Sequence, residues 1–235
     1  MYHDIVTESD KTSGFQNETS FQYKVEENAF EEQVKALKGK DVLFTFDDGG
    51  VSFYTKAAPI LEKYGLRGVF FISTKYINSP GFLSENQMKE LAERGHIIGS
   101  HSHTHPEIFT KLPEEEIRDE WKKSFDILSG ILCSNDLTLS IPNGYASNTI
   151  MEEAIKVGYT DIYTSEPTMR VKLYRSHKVI GRYVVHNGMN TQDVMNIVEN
   201  KGTRSKMALK WRVLSVVKGV LGSSYDTVKA KILHH

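Results

Sequence analysis

"VLFTFDDGG", residues 42 to 50, is a short apolar run that stops on two carboxylates and two glycines. Its length suits a strand rather than a helix, and Asp and Gly are turn formers. The same pattern recurs downstream. A helix-like stretch runs from Phe53 to Tyr64, and "GVFFIS" (68–73) reads as a second strand. "SENQMKELAERG" (84–95) reads as a helix opened by a capping box, Ser84 with Gln87, and stopped at Gly95. Strands "HIIGS" (96–100), "LTLSI" (137–141), "TDIYTS" (160–165) and "KVIGRYVVH" (178–186) then alternate with helices "PEEEIRDEWKKSFDILSG" (113–130), "NTIMEEAIKVG" (148–158) and "TQDVMNIVEN" (191–200). Residues 7–28 are polar and read as a loop or extended excursion. Strands alternating with helices imply parallel β/α units. Strand runs that are apolar throughout imply a sheet covered on both faces. A doubly wound sheet and a closed or nearly closed barrel both satisfy this pattern, and both build sites at the C-terminal ends of their strands.

Those ends carry the polar chemistry. Strand 42–46 runs into Asp47 and Asp48, strand 96–100 into "HSHTH" (101–105), and strand 137–141 into "PNG" (142–144). Strand 160–165 runs into Glu166, and strand 178–185 into His186. Adjacent residues leaving a strand point in different directions, so the two aspartates divide labour: one binds a metal while the other faces water on it. Two close carboxylates disfavour joint ionisation unless a cation lies between them. On a straight strand His101 and His105 stand about 13 Å apart, too far to share an ion whose bonds to nitrogen are about 2.1 Å. On a tight turn they become neighbours. His101, His105 and one Asp then give two nitrogens and one oxygen, leaving positions open for water and substrate, while His103 points elsewhere. The same ligand set serves non-haem iron oxygenases; the adjacent carboxylate pair and the order of the motifs count against that class.

The rest of the chain narrows the field. At 235 residues, with 39% hydrophobic and 25% charged content, it has the composition of a soluble globular protein. A net charge of −1 gives no bias toward nucleic acid, and a single cysteine, Cys133, excludes an internal disulfide framework. The opening "MYHDIVTESD" has neither a basic nor an apolar leader region, which predicts no signal peptide and a cytoplasmic location.

"TFDDG" (45–49), "HSHTH" (101–105) and "PNGY" (142–145), in this order, resemble the polysaccharide deacetylase family, the NodB-homology carbohydrate esterases. The resemblance covers roughly residues 41–200, and "MYHDI" is similar to a strand start found in many members. It implies a distorted (β/α) barrel with fewer than eight complete repeats, occupying residues 1–200. It also implies hydrolysis of N-acetyl, sometimes O-acetyl, groups on sugars by a divalent metal, commonly zinc. Asp47 would be the general base, Asp48, His101 and His105 the metal ligands, and the motif around Pro142 would offer the backbone N–H of Asn143 to the oxyanion. There are two departures. Members often carry an arginine before the motif proline to orient the base; Ser140 stands there, and Arg182 at another strand end is the expected substitute. The late histidine motif is matched only by "VVH", making His186 the first candidate for general acid, with His3 and His177 behind it. Two rival readings follow: a carbohydrate-binding relative with impaired catalysis, and a hydrolase of another amide such as formyl.

Residues 201–235 form a separate, basic segment. Lys201, Arg204, Lys206, Lys210, Arg212, Lys218, Lys229 and Lys231 face only Asp226, with apolar residues between them and a break near "GSSYD" (222–226). This reads as an amphipathic helix that packs on the barrel or lies on an anionic membrane surface.

Overall fold

The computed structural model describes residues 1–144 and 146–221, without the side chains of 216–221. Tyr145, the side chain of Lys218 and the whole stretch 222–235, including the break expected near 222–226, therefore lie outside what is described. Nine strands are described: β1 (Ile5–Val6), β2 (Val25–Glu26), β3 (Phe44–Phe46), β4 (Gly68–Ile72), β5 (Ile97–Ser100), β6 (Leu139–Ser140), β7 (Ile162–Tyr163), β8 (Val171–Tyr174) and β9 (His177–Ile180). The helices are α1 (Glu18–Phe21), α2 (Glu27–Leu37), α3 (Ala58–Lys63), α4 (Glu85–Glu93), α5 (Glu114–Leu132), α6 (Asn148–Val157), α7 (Thr191–Glu199) and α8 (Lys201–Leu221).

Seven strands form one sheet in the order β3-β4-β5-β6-β7-β9-β8, parallel throughout except for β8. The sheet curls, and the first residues of the chain link β3 to the segment that follows β9. The Tyr2 N–H donates to the Thr45 carbonyl (2.7 Å), and the Asp47 N–H to the Tyr2 carbonyl (3.1 Å). On the other side the Val185 N–H donates to the Met1 carbonyl (2.9 Å). Of the two architectures open to the sequence, the distorted (β/α) barrel is the one formed.

Strand alternation sorts the core. Phe44, Phe46 and Phe70 point outward and join Tyr2, Phe30 and Phe53 in the main buried cluster beneath the helices. The opposite faces of β4 and β7 supply a smaller cluster, Val69, Phe71 and Tyr163. The Arg182 guanidinium lies 5.3 Å from the Phe71 ring centre and 5.9 Å from that of Tyr163, so this cluster forms the apolar floor under the polar end of the barrel.

The helices follow their signals. Ser84 and Gln87 make the reciprocal capping box of α4, and α5 buries Ile117, Trp121, Ser124 and Leu128, one face at helical spacing. The helix expected over Phe53–Tyr64 starts as a wide π turn (Phe53–Ala57) before α3. Pro59 has no N–H to give Thr55 and its ring crowds that carbonyl, so the turn widens. Two elements had no counterpart in the sequence reading. One is α2, which buries Phe30, Val34 and Leu37; the other is β8, joined to β9 by a two-residue turn with Arg175 at φ 47° and Ser176 at φ 71°. The excursion expected at 7–28 instead contains α1, β2 and the start of α2. Among the described residues no helix is long and apolar enough to cross a membrane.

Candidate metal centre and active site

The tight turn that the histidines require is present. After β5 the chain bends through Ser102 (φ 63°) and His105 (φ 57°), conformations that L side chains adopt at a cost and that surrounding contacts must hold. Glu120 of α5 supplies those contacts, accepting from the N–H groups of His103 (3.0 Å) and Thr104 (2.8 Å) and from the Thr104 hydroxyl (2.7 Å). His103 leans away and pairs its Nδ1 with the Thr74 hydroxyl (3.0 Å). His101 and His105 are left facing each other, with ring centres 5.0 Å apart.

Asp48, itself at φ 88°, meets them from the end of β3. Its Oδ1 lies 3.4 Å from His101 Nε2 and 3.5 Å from His105 Nε2, and one donor atom from each of the three residues fits within a 4.8 Å span. Two donors each about 2.0–2.2 Å from one tetrahedral ion lie roughly 3.4 Å apart, so this set fits a small divalent cation. The tautomer fits as well: His101 Nδ1 donates to the Ser140 carbonyl (2.9 Å), which leaves the Nε2 lone pair free. Burial pulls His105 down to about 4, so it is neutral and ligand-ready at ordinary pH. His101 is also lowered by burial, but Asp47 and Asp48 outweigh that and its pKa is raised.

Asp47 has a different environment. Arg182 grips it with two bonds, Nη1 to Oδ1 at 2.6 Å and Nη2 to Oδ2 at 2.8 Å. Ser140 Oγ donates to Oδ2 (3.1 Å) and accepts from Arg182 Nη2 (2.6 Å), while Arg182 Nε and Nη1 reach the Thr164 carbonyl and the Thr45 hydroxyl. Burial pushes Asp47 up, but Arg182 and His101 prevail and hold its carboxyl far below the usual range. Asp48 is lowered too, against burial, by His101, His3 and His105. The two adjacent carboxylates thus face different partners: a guanidinium for Asp47 and the two histidines for Asp48.

Ser140, the apparent departure, holds this arrangement together. Its hydroxyl joins Asp47 to Arg182 and its carbonyl orients His101. A small side chain there leaves the space that the guanidinium of Arg182 enters from β9's continuation.

The remaining candidates divide. Asn143 sits in a 3-10 turn (Pro142–Gly144) with left-handed φ 54°, its side-chain amide 3.4 Å from the Pro106 and Glu107 carbonyls. His186 is exposed and pairs with the carbonyl of Asn187 (3.0 Å). His177 pairs with the Thr160 carbonyl, and Glu166 with Lys172. His3 packs on the Tyr23 ring, with centres 4.6 Å apart, and feels the charges of Asp48, Asp47, His101 and Arg182, while burial dominates in lowering its pKa. Its Nδ1 is buried and has no hydrogen-bond partner among the described residues. The extended segment Met1–Tyr2, the start that "MYHDI" resembled, carries His3 toward this end of the barrel.

The profile of the polysaccharide deacetylase family matches residues 34–162, more than half of the chain. The peptidoglycan-N-acetylmuramic acid deacetylase PdaA of Bacillus subtilis is 32% identical over 130 residues, 54% of this chain and 48% of that protein. The peptidoglycan-N-acetylglucosamine deacetylase PgdA of Listeria monocytogenes is 28% identical over 153 residues, 64% of this chain and 31% of that one. The chain thus spans about half or less of the curated relatives it matches. In fold it is similar to the Streptococcus pyogenes deacetylase PplD, solved with acetate, at a TM-score of 0.72 and 23% identity over 85% of this chain and 96% of that one. A Bacillus cereus polysaccharide deacetylase superposes at a TM-score of 0.70 with 21% identity, over 85% of this chain and 67% of that one. His3 and Arg182 both fall outside the matched stretch, while Asp47, Asp48, His101, His105 and the Pro142 turn fall within it, and by this match the chain belongs to the polysaccharide deacetylase family.

Proposed function

We propose that this chain is a metal-dependent hydrolase that removes N-acetyl groups from an amino-sugar-containing glycan or glycan precursor. The observation that carries the reading is the division of the Asp47–Asp48 pair between a guanidinium clamp and a two-histidine face. Asp48, His101 and His105 would hold the ion, with zinc suited to two nitrogens and one oxygen. When bound there, a divalent ion supplies Lewis acidity toward water and the acyl oxygen.

The side chains account for the proton movements. Asp47, ionised and aimed by Arg182 and Ser140, takes a proton from the attacking water. The carbonyl oxygen gains negative charge as water adds, and the backbone N–H of Asn143 is the proposed donor to it. His3 is the proposed relay that delivers a proton to the departing amine, so that the C–N bond breaks to acetate and free amino sugar. His3 replaces His186 as the proposed acid because His186 is exposed and bonded to its neighbour's carbonyl. The clamp on Asp47 also argues against the impaired-binder alternative, since Arg182 supplies the cation absent at position 140.

A second surface supports contact with an anionic membrane. On α8, Leu209 and Val213 are exposed, and so are Met169, Val171 and Leu173 at the β8 edge. Exposed Lys206, Lys210 and Arg212 flank the helical pair.

The test of the catalytic reading is acetate release from a panel of N-acetylated sugars and glycans by zinc-reconstituted protein, with Asp47→Asn, His3→Gln and His186→Gln alongside. Asp47→Asn should retain zinc and lose about 10²–10⁴-fold in kcat; His3→Gln should fall similarly and His186→Gln hardly at all. No release despite stoichiometric zinc overturns the deacetylase reading, and formate in place of acetate reassigns the acyl group.

A further inference from the structure

Residues 7–24 leave the barrel after β1 and return at β2 without contributing to the proposed chemistry, yet buried charges secure them. Asp4 accepts from Ser13 Oγ (2.6 Å) and Ser52 Oγ (3.0 Å). Its carboxylate is wedged between Gly14 and Gly50, where an added Cβ would stand 2.0 Å and 1.9 Å from its oxygens. Lys24, 3% exposed, donates to the carbonyls of Ser13 (2.7 Å) and Lys11 (2.9 Å). The Gly14 N–H donates to the Gly81 carbonyl (2.8 Å), and Gln16 Nε2 bonds the carbonyls of Thr12, Ser13 and Gly14. Burying a carboxylate against hydroxyls and an ammonium against carbonyls is a costly way to secure a loop, so the position the loop imposes calls for a use.

That position belongs to Phe15. Its ring centre lies 5.2 Å from His105, 4.9 Å from Tyr76 and 5.2 Å from Phe82, and Tyr76 stacks on Phe82 at 4.9 Å. Tyr76 and Phe82 come from the segment between β4 and α4, which is itself tied to the carboxylate loop through Leu83 N–H to the Gly49 carbonyl (3.0 Å). Aromatic residues that serve only the core of this protein, such as Phe46, Phe53 and Phe70, are fully buried. Phe15, Tyr76 and Phe82 each keep part of their surface accessible, and they stand beside a proposed metal ligand. Aromatic walls with an accessible face are what a site offers to flat, weakly polar ligand surfaces, and the C–H face of a pyranose ring is such a surface.

We infer that Phe15, Tyr76 and Phe82 form a stacking platform for the sugar next to the one that is deacetylated, so that the 7–24 excursion gives the enzyme a preference for chains over single sugars. This rests on the deacetylase reading. Stacking of this kind is worth a factor of about three to ten in binding.

The experiment uses N-acetylglucosamine monomer and tetramer. On zinc-reconstituted protein, kcat and KM are measured for wild type, Phe15→Ala and Phe15→Tyr; tetramer binding to the metal-free proteins is measured by calorimetry. Wild type should favour the tetramer. Phe15→Ala should lower the tetramer-to-monomer ratio of kcat/KM by about three- to tenfold, mostly through KM, and weaken metal-free tetramer binding by the same factor. Phe15→Tyr should restore both. Phe82→Ala provides a second variant if Phe15→Ala does not fold. Equal use of monomer and tetramer by wild type, or an unchanged ratio in Phe15→Ala, overturns the platform and leaves the deacetylase reading standing. A wild type that neither binds nor hydrolyses either sugar overturns both.

Discussion

Replacing Arg182 with methionine tests the centre without touching a proposed metal ligand. The side chain keeps much of its apolar bulk over Phe71 and Tyr163, but Asp47 loses both charge-assisted bonds, at 2.6 Å and 2.8 Å, while remaining about 3% exposed. Removing one partner of a buried pair strands the other charge, at a cost of about 3–5 kcal/mol. With a urea m-value of about 2 kcal/mol/M, the unfolding midpoint should fall by roughly 1.5–2.5 M. The sign with pH follows from Asp47. In the wild type its pKa is depressed, so the pair's contribution is complete above the unfolded value of about 3.9 and is lost only on further acidification. In the variant, burial acts with no guanidinium to oppose it and raises the pKa above 3.9. The penalty is then present at neutral pH and relieved as pH falls through the raised value. His101, with Nε2 at 3.9 Å from Asp47 Oδ2, is the nearest remaining cation and trims the loss where it is protonated. The assay is urea unfolding of metal-free protein at pH 7.5 and pH 4.5, followed by tryptophan fluorescence, with Asp47→Asn and the double variant completing the cycle. The gap to wild type should narrow at pH 4.5, and the double variant should recover most of the loss. A loss under about 1 kcal/mol, equal at both pH values, refutes the buried clamp.

Two further outcomes are expected. Because His101 is raised and His105 is lowered to about 4, zinc binding at pH 6 should release about one proton per ion, from His101 alone. Calorimetry in two buffers of different ionisation enthalpy reads that number, and a value near two or zero would be incompatible with the assignment. Vesicles containing anionic lipid should co-sediment the protein, with Leu209→Ser/Val213→Ser reducing the bound fraction several-fold; no binding to such vesicles removes the membrane contact.

The sequence disclosed most where chemistry and local structure coincide. "DDGG" and "HSHTH" could be read because a metal set draws its ligands from short motifs at strand ends. Arg182 could be named as the substitute for the arginine missing at Ser140 only through the family resemblance and its place at a strand end, since its pairing with Asp47 spans 135 residues. His3 stood behind His186 among the candidates although "MYHDI" resembled a family strand start: its position depends on Met1 and Tyr2 lying between β3 and residues 183–185, contacts between segments far apart in the chain. The match of "VVH" to a family motif drew attention to His186, but beyond Val185 the chain turns outward. The β8–β9 turn escaped because Arg175-Ser176 lacks the Asn-Gly signature of such hairpins.

The closure of the barrel also sets an order of events at the ribosome. His3 and the two aspartates emerge before Arg182, which follows Asp47 only after 135 further residues. At about 5–20 residues per second this is a delay of roughly 7 to 27 s. During that interval Asp47 cannot be buried at low cost, and the Met1–Tyr2 segment lacks its partner at residues 183–185. The nascent chain therefore carries its metal motifs well before it can shelter them, and the sheltered centre becomes available only when the last strand of the barrel arrives.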